Sequence, residues 1–402
     1  MKLALLLILL LAVAATTAAR TVPQPPAPTN ARAQDAFTVN LYQQIQSGAK
    51  GNLFFSPASL STALTMAYGG ARGETARQMA QVLDLPDDAD EVHAAQGQFL
   101  RWMQGEGKPE GRPFQLAMAN ALWGQRGVRW SPSYLNLAKL HYGAGLREVD
   151  FKSDPEAVRR EINSWVSQNT MEKIPQLLGP GTIHAEIRLV LTNAIYFKAD
   201  WTQPFSQDET FPADFHRADG TKVEKPTMHQ MSSFGYLETA DAQVLELPYR
   251  GGALAMYIVL PKPKAKLADL EETFSPTQLA TWTTGLKSRR VRVALPKFSF
   301  RASMDLEKTL AGMGMPLAFS KDADFTGLTE DVRLMIEKVI HQAYVAVDEK
   351  GTEAAAATGI TMMPTSVPVD PVVEFKADRP FLFFIKAKET GTLLFLGRLM
   401  EP

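Results

Sequence analysis

The chain has 402 residues, a formal net charge of −1, 45% hydrophobic residues and no cysteine. That size and apolar content supply core for one large domain or two ordinary ones, and the near-neutral balance gives no overall attraction for nucleic acid. The lack of cysteine excludes disulfides, thiolate metal sites and a cysteine nucleophile.

Residues 1–19 have the layout of a secretory signal: Lys2, an apolar core over 3–14, then small residues over 15–19. The apolar run is short for a membrane span. A retained anchor is the alternative. The expected location is therefore secreted, extracellular or periplasmic, with no membrane attachment after cleavage. Residues 20–35, with Pro23, Pro25, Pro26 and Pro28, are expected to form a flexible leader.

Phe37, Leu41 and Ile45 sit four apart and predict a helix over about 34–46. The stretch Asn52-Leu-Phe-Phe55 leads into a largely apolar helix ending near Gly70. Ser56 and Ser59 fall at its start, as ordinary caps or as buried polar groups. Helices follow from Gly73 and over 90–103. The loop over 105–111 has glycines without the spacing of a nucleotide motif. Next come a strand over 114–123 and helical patterns over 131–140 and 154–178. Residues 189–197 read as a buried strand in which Asn193 is polar, and an unpaired amide there costs about 1–3 kcal/mol. A hairpin is expected from 245–249 and 253–260 around Gly251-Gly252. Lys262, Lys264, Lys266 and the basic run 287–292 suit a solvated surface better than a polyanion site. A strand over 332–349 feeds the next segment.

That segment, 347–370, starts as a strand and then changes character. No charged residue occurs between Glu353 and Asp370. Taken with period two, one face carries Thr352, Ala354, Ala356, Thr358, Ile360 and Met362; the single acid, Glu353, lies on the other with Ala355, Ala357, Gly359, Thr361 and Met363. Such a strand fits into an existing sheet with its neutral face buried. A short helix or alanine-rich linker is the alternative. No HExxH, GxSxG elbow or P-loop occurs, so the chain is not expected to be an enzyme or to carry a metal or other cofactor.

The order Glu349-Lys350-Gly351-Thr352-Glu353-Ala354-Ala355-Ala356-Ala357 resembles the hinge of the inhibitory serpins. Segments at 162–166, 170–178, 295–300, 304–310 and 323–327 resemble serpin segments in serpin order. Residues 375–384 resemble the family's C-terminal signature, and the likeness covers about 35–402. It implies one α+β domain over 36–402: about nine helices around three β-sheets, with an exposed reactive-centre loop at about 350–370. It also implies a suicide-substrate inhibitor of serine proteases, whose loop is cut and then inserts into the central sheet, trapping the acyl-enzyme. The partner would be the target protease in a covalent one-to-one complex with a monomer. A non-inhibitory carrier or chaperone of the same family is the alternative.

By the same resemblance, the reactive bond is Thr365–Ser366, with Met363 as the alternative reactive residue. Thr365 suits a small apolar pocket of the elastase type. Ser56, Ser59, Asn193 and His341 match positions that hydrogen-bond beneath the parting sheet, four unrelated satisfied polar residues being the alternative. Glu349, Lys297 and Trp201 match the loop gate. In the uncut chain Thr352 is expected near the surface. Insertion would add roughly ten ladder hydrogen bonds at about 0.5–1.5 kcal/mol each, and one buried unpaired charge removes several kcal/mol of that.

Overall fold

The computed structural model describes residues 31–105, 113–143, 146–352 and 371–402. Among them are nine α-helices and fifteen strands. In chain order these are α1 (Ala31–Gln46), β1 (Leu53–Phe55), α2 (Pro57–Tyr68), α3 (Gly73–Leu83), α4 (Ala89–Gln104), β2 (Phe114–Gln125), α5 (Pro132–Tyr142), β3 (Arg147–Val149), α6 (Pro155–Asn169) and β4 (Leu189–Asp200). There follow β5 (Thr210–His216), β6 (Lys222–Glu238), β7 (Ala242–Pro248), β8 (Leu254–Pro261), α7 (Leu267–Thr273), α8 (Pro276–Thr284), β9 (Lys287–Pro296), β10 (Phe298–Asp305) and α9 (Glu307–Gly312). The chain ends with β11 (Val339–Val347), β12 (Gly351–Thr352), β13 (Val373–Lys376), β14 (Phe381–Ala387) and β15 (Leu393–Leu399).

Hydrogen bonding makes two continuous sheets. The central one has strand order β10-β11-β12-β4-β2-β3. The other runs β1-β15-β14-β8-β7-β6-β9-β13, with β5 on β6. Its 17-residue strand β6 belongs to two parts: its C-terminal end pairs with β7, while the rest pairs with β5 and β9. Counted with that division, the sheets number three.

Strand β4 is buried from Leu189 to Phe197 because both faces are covered, which is why its sequence is apolar on both faces apart from Thr192 and Asn193. Val190 and Ala194 pack with Val158, Ile162 and Val166 of α6. Leu191 packs with Leu60 and Leu64 of α2. Helix α2 is buried on nearly every side, as its all-round apolar sequence requires.

Three expectations need correction. Helix α1 starts at Ala31, so the end of the expected leader is helical. Helix α6 stops at Asn169: Met171 and Glu172 turn the chain with φ of 51° and 60°, and the Asn163 side chain accepts the N–H groups of Leu177 and Leu178. Those amides are satisfied by a side chain, so 170–178 has no need to stay helical. The strand before the loop spans Val339–Val347 and leaves 332–338 irregular. Strands β5 and β6 had no forecast; β6 mixes exposed and buried positions along KVEKPTMHQMSSFGYLE and carries no clean alternation.

Candidate functional site

The central sheet has a seam between β11 and β4. Below, the two strands pair directly and in parallel, from Val339↔Leu191 to Tyr344↔Tyr196. Above, β12 fills the gap and runs antiparallel to both, with Thr352 opposite Val347 on one side and Ala199 on the other. A four-residue turn delivers it there. Asp348 and Gly351 bound it, and both are residue types common in turns. The Asp348 carboxylate accepts the Lys350 and Gly351 N–H groups at 2.9 and 3.3 Å, and the Asp348 N–H donates to the Gly351 carbonyl at 2.9 Å. Gly351 fits so closely against β4 that an added Cβ would lie 2.0 Å from the Ala199 carbonyl oxygen. Thr352 is 1% exposed, and its hydroxyl lies 2.6 Å from the Tyr249 hydroxyl. The expectation that Thr352 sits near the surface is therefore wrong. The turn points the chain back into the sheet before any cleavage.

Beneath the seam lies a buried polar network. Asn193 on β4 and His341 on β11 are register partners, and their side chains are joined from His341 Nδ1–H to Asn193 Oδ1. The other imidazole nitrogen accepts the Ser56 N–H at 3.1 Å. Since Nδ1 donates and Nε2 accepts, the ring is neutral; burial pushes its pKa down to about 3. The Asn193 amide donates to Ser59 Oγ at 2.7 Å and to the Ser59 carbonyl at 3.0 Å. Ser56 caps α2 through the Ser59 N–H at 3.1 Å and donates to the Leu394 carbonyl at 2.6 Å. All four residues are thus in one network, and Ser56 is both helix cap and buried anchor. Asn120 of β2 completes it, taking the Ser59 hydroxyl proton at 3.2 Å and an amide proton from Asn193.

Above the seam, Lys297 Nζ lies 2.8 and 3.0 Å from the Glu349 carboxylate oxygens. The Glu349 side chain is only 7% exposed. Burial pushes its pKa up, but the Lys297 bonds and others outweigh this and hold it below the usual value. The Trp201 indole N–H donates to the Asp348 carbonyl at 3.0 Å, and the Trp201 backbone N–H donates to the Lys350 carbonyl at 2.7 Å. Its ring stacks on Tyr249, with centroids 4.5 Å apart and planes 13° off parallel. Lys297, through Glu349, and Trp201 therefore both grip the turn that leads into the loop.

The family model described as Serpin (serine protease inhibitor) matches residues 32–402. The chain belongs to the serpin family. It is 44% identical over 376 residues to an uncharacterized serpin-like protein of Thermococcus kodakarensis, covering 92% of this chain and 85% of that one. It is 38% identical over 383 residues to a leukocyte elastase inhibitor of Bos taurus, covering 92% and 98%. The crystal structure of Serpin48, a highly specific serpin of the insect Tenebrio molitor, superposes with a TM-score of 0.82 at 32% identity, covering 92% of this chain and 98% of that one.

In this serpin the expected signal at 1–19, the expected leader over 20–30, the expected hinge residues Glu353, Ala354, Ala355, Ala356 and Ala357, and the candidate reactive residues Met363, Thr365 and Ser366 lie outside the described residues. No described helix is long and apolar enough to cross a membrane. Two members of the site had gone unnoticed. Asn120 had a sequence signal, being polar in an otherwise apolar run. Tyr249 had none, because its partner Thr352 lies 103 residues away.

Proposed function

We propose that this serpin is a secreted suicide-substrate inhibitor of serine proteases with a small apolar primary pocket, elastase-like in preference. The observation that carries this reading is the seat of β12. The first residues of the loop already occupy the seam through which the rest would enter, in the antiparallel sense, with neutral residues leading.

The chemistry follows from that geometry. The protease serine hydroxyl attacks the Thr365 carbonyl, and the Ser366 amine leaves with a proton, giving an acyl-enzyme. The freed segment from Glu353 onward then extends β12 down the seam. The parallel contact of β11 with β4 is exchanged for two antiparallel ones, which are more stable per residue. Each new ladder bond contributes about 0.5–1.5 kcal/mol. The seam is latched by the Asn193–His341 bond, which strand separation must break. That bond sets part of the barrier, and α2 beneath it keeps the opened polar groups supplied with partners. The Glu349–Lys297 pair and Trp201 hold the turn, so that the loop does not run in uncut. The protease remains covalently held in a one-to-one complex with a serpin monomer.

A panel of elastase-, chymotrypsin-, subtilisin- and trypsin-type proteases, read on a denaturing gel, tests the reading. A complex stable to denaturant is expected with an elastase-type enzyme. If every protease cleaves the loop and departs active, the carrier or chaperone alternative replaces it. N-terminal sequencing of protein recovered outside the producing cell tests secretion.

A further inference from the structure

Helices α4 and α5 cross so closely that a Cβ added to Gly97 would lie 2.9 Å from the His141 carbonyl oxygen. His93 lies about one turn before Gly97 on the same face of α4 and is 2% exposed. Its Nδ1 is 2.6 Å from the Tyr142 hydroxyl of α5. Its ring centroid is 6.0 Å from that of Tyr68 on α2, 6.4 Å from that of His141 and 5.8 Å from that of Tyr142. At the end of α2, Gly69 leaves the room that the imidazole fills, since a Cβ there would come within 3.2 Å of Nε2. Three helices thus close on one imidazole.

The charged and titratable groups around His93 are Asp90 from α4, His141 and Tyr142 from α5, and Tyr68 from α2. Arg101 of α4 acts on His141, and Tyr134 of α5 acts on Tyr142. Asp90 is exposed, in the first turn of α4. Burial, then His141, push the His93 pKa down to about 4 against the pull of Asp90. Burial, then Arg101, push His141 below its usual value too. The Tyr134 hydroxyl donates to the Met66 carbonyl at 3.1 Å, and burial keeps Tyr142 protonated. A proton added to His93 makes both ring nitrogens donors. It also sets a positive charge where neither tyrosine can neutralise it.

We propose that His93 is the pin of an acid-sensitive joint: neutral, it holds α5 to α4 and α2; charged, it lets α5 part from them and the central sheet open more readily. Helix α5 ends at Tyr142 and β3 begins at Arg147. Strand β3 pairs with β2, and β2 pairs with β4 from Phe114↔Ala199 to Gly124↔Leu189. Strand β4 therefore leaves β11 only with β2, β3 and the end of α5 in tow. Helix α4 is tied to α2 by the Gln96–Thr62 bond, so gripping α5 against this pair resists that movement. The free imidazole takes up its proton near pH 6.5, and the folded one near 4. The joint is thus at full strength above pH 6.5 and weakens as the pH falls toward 4. In mildly acid solution the uncut loop then enters its own sheet or a neighbour's, which confines inhibition to neutral surroundings. The joint stands without the inhibitor reading; this last consequence rests on it.

The test follows the uncut full chain by hydrogen exchange and mass spectrometry, with rates corrected for the pH dependence of the chemical step. Between about pH 6.5 and 5 the wild-type α4 and α5 peptides should lose up to about thirtyfold in protection, roughly tenfold per pH unit, while β14 and β15 hold theirs. His93→Gln removes the titrating group, and His93→Phe does so while filling the space should the glutamine leave the helices loose. Each variant, compared with itself at neutral pH, should lose less than about threefold. On native gels of gently warmed protein, acid should speed polymer formation by the wild type and speed it much less in the variants. Exchange that is flat with pH in the wild type, or that rises equally in both variants, overturns the joint. Exchange that depends on His93 while polymer formation does not overturns the link to the sheet. A wild type that behaves as expected yet traps no protease upholds the joint and removes the inhibitor reading.

Discussion

Replacing Thr352 with arginine separates trapping from simple binding. In the uncut protein the side chain at 352 has no room: it is 1% exposed, and Gly351 beside it already abuts the Ala199 carbonyl. The turn must therefore lift out of the seam. That forfeits the Thr352–Tyr249 bond and the short ladder around it, about 1–3 kcal/mol at 0.5–1.5 kcal/mol per bond. The uncut variant should melt a few degrees lower, contrary to what an exposed Thr352 would give. After cleavage the arginine cannot escape, because it heads the inserting face. Burying an unpaired guanidinium costs several kcal/mol, and a barrier raised by about 3 kcal/mol slows insertion roughly 150-fold. Attack at Thr365 is untouched, so water competes with insertion and releases active protease. Consumption per protease equals one plus the ratio of the hydrolysis rate to the insertion rate, and it should rise steeply. Titration of active protease against serpin measures it, together with the melting temperature before and after cleavage. Unchanged consumption with a fully inhibited protease would refute insertion as the trap.

Three further outcomes are expected. Cleavage at Thr365–Ser366 releases residues 366–402, a piece of 37 residues; mass spectrometry that finds Pro364 at its start moves the reactive residue to Met363. Glu349→Lys sets two ammonium groups against each other where the turn leaves the sheet, so mild heating should produce loop-inserted polymers faster on a native gel, and an unchanged rate would sink the gate role. His341 is held neutral by burial with its pKa near 3, against 6.5 for the free side chain. Its share of stability is thus complete above pH 6.5 and is lost as the pH falls toward 3, at up to about 1.4 kcal/mol per pH unit. His341→Gln keeps a donor and an acceptor without a titrating group, so denaturant unfolding between about pH 4 and 6 should show a shallower loss by roughly that slope.

Much of the fold was legible because it is written in short periods. The four-residue spacing of Phe37, Leu41 and Ile45 marks α1, the mainly apolar run of β4 marks a strand covered on both faces, and Gly251-Gly252, with φ of 82° and 70°, marks its hairpin. Where a period was interrupted, the forecast failed. The pattern over 154–178 predicts helix beyond Asn169 because nothing local announces that Asn163 takes over the amides of Leu177 and Leu178.

The neutrality of the inserting face was decided by the sequence itself, since period two and residue type require no partner to be named. The same period says only which side chains share a face. It does not say which strand lies alongside or what packs above. Those depend on register between segments far apart in the chain, which is settled by the burial of all the strands at once. Only the folded molecule could therefore decide that Asn193 faces His341 across a parallel seam, that Asn120 joins them from β2, and that Thr352 is already seated under Tyr249 before any protease arrives.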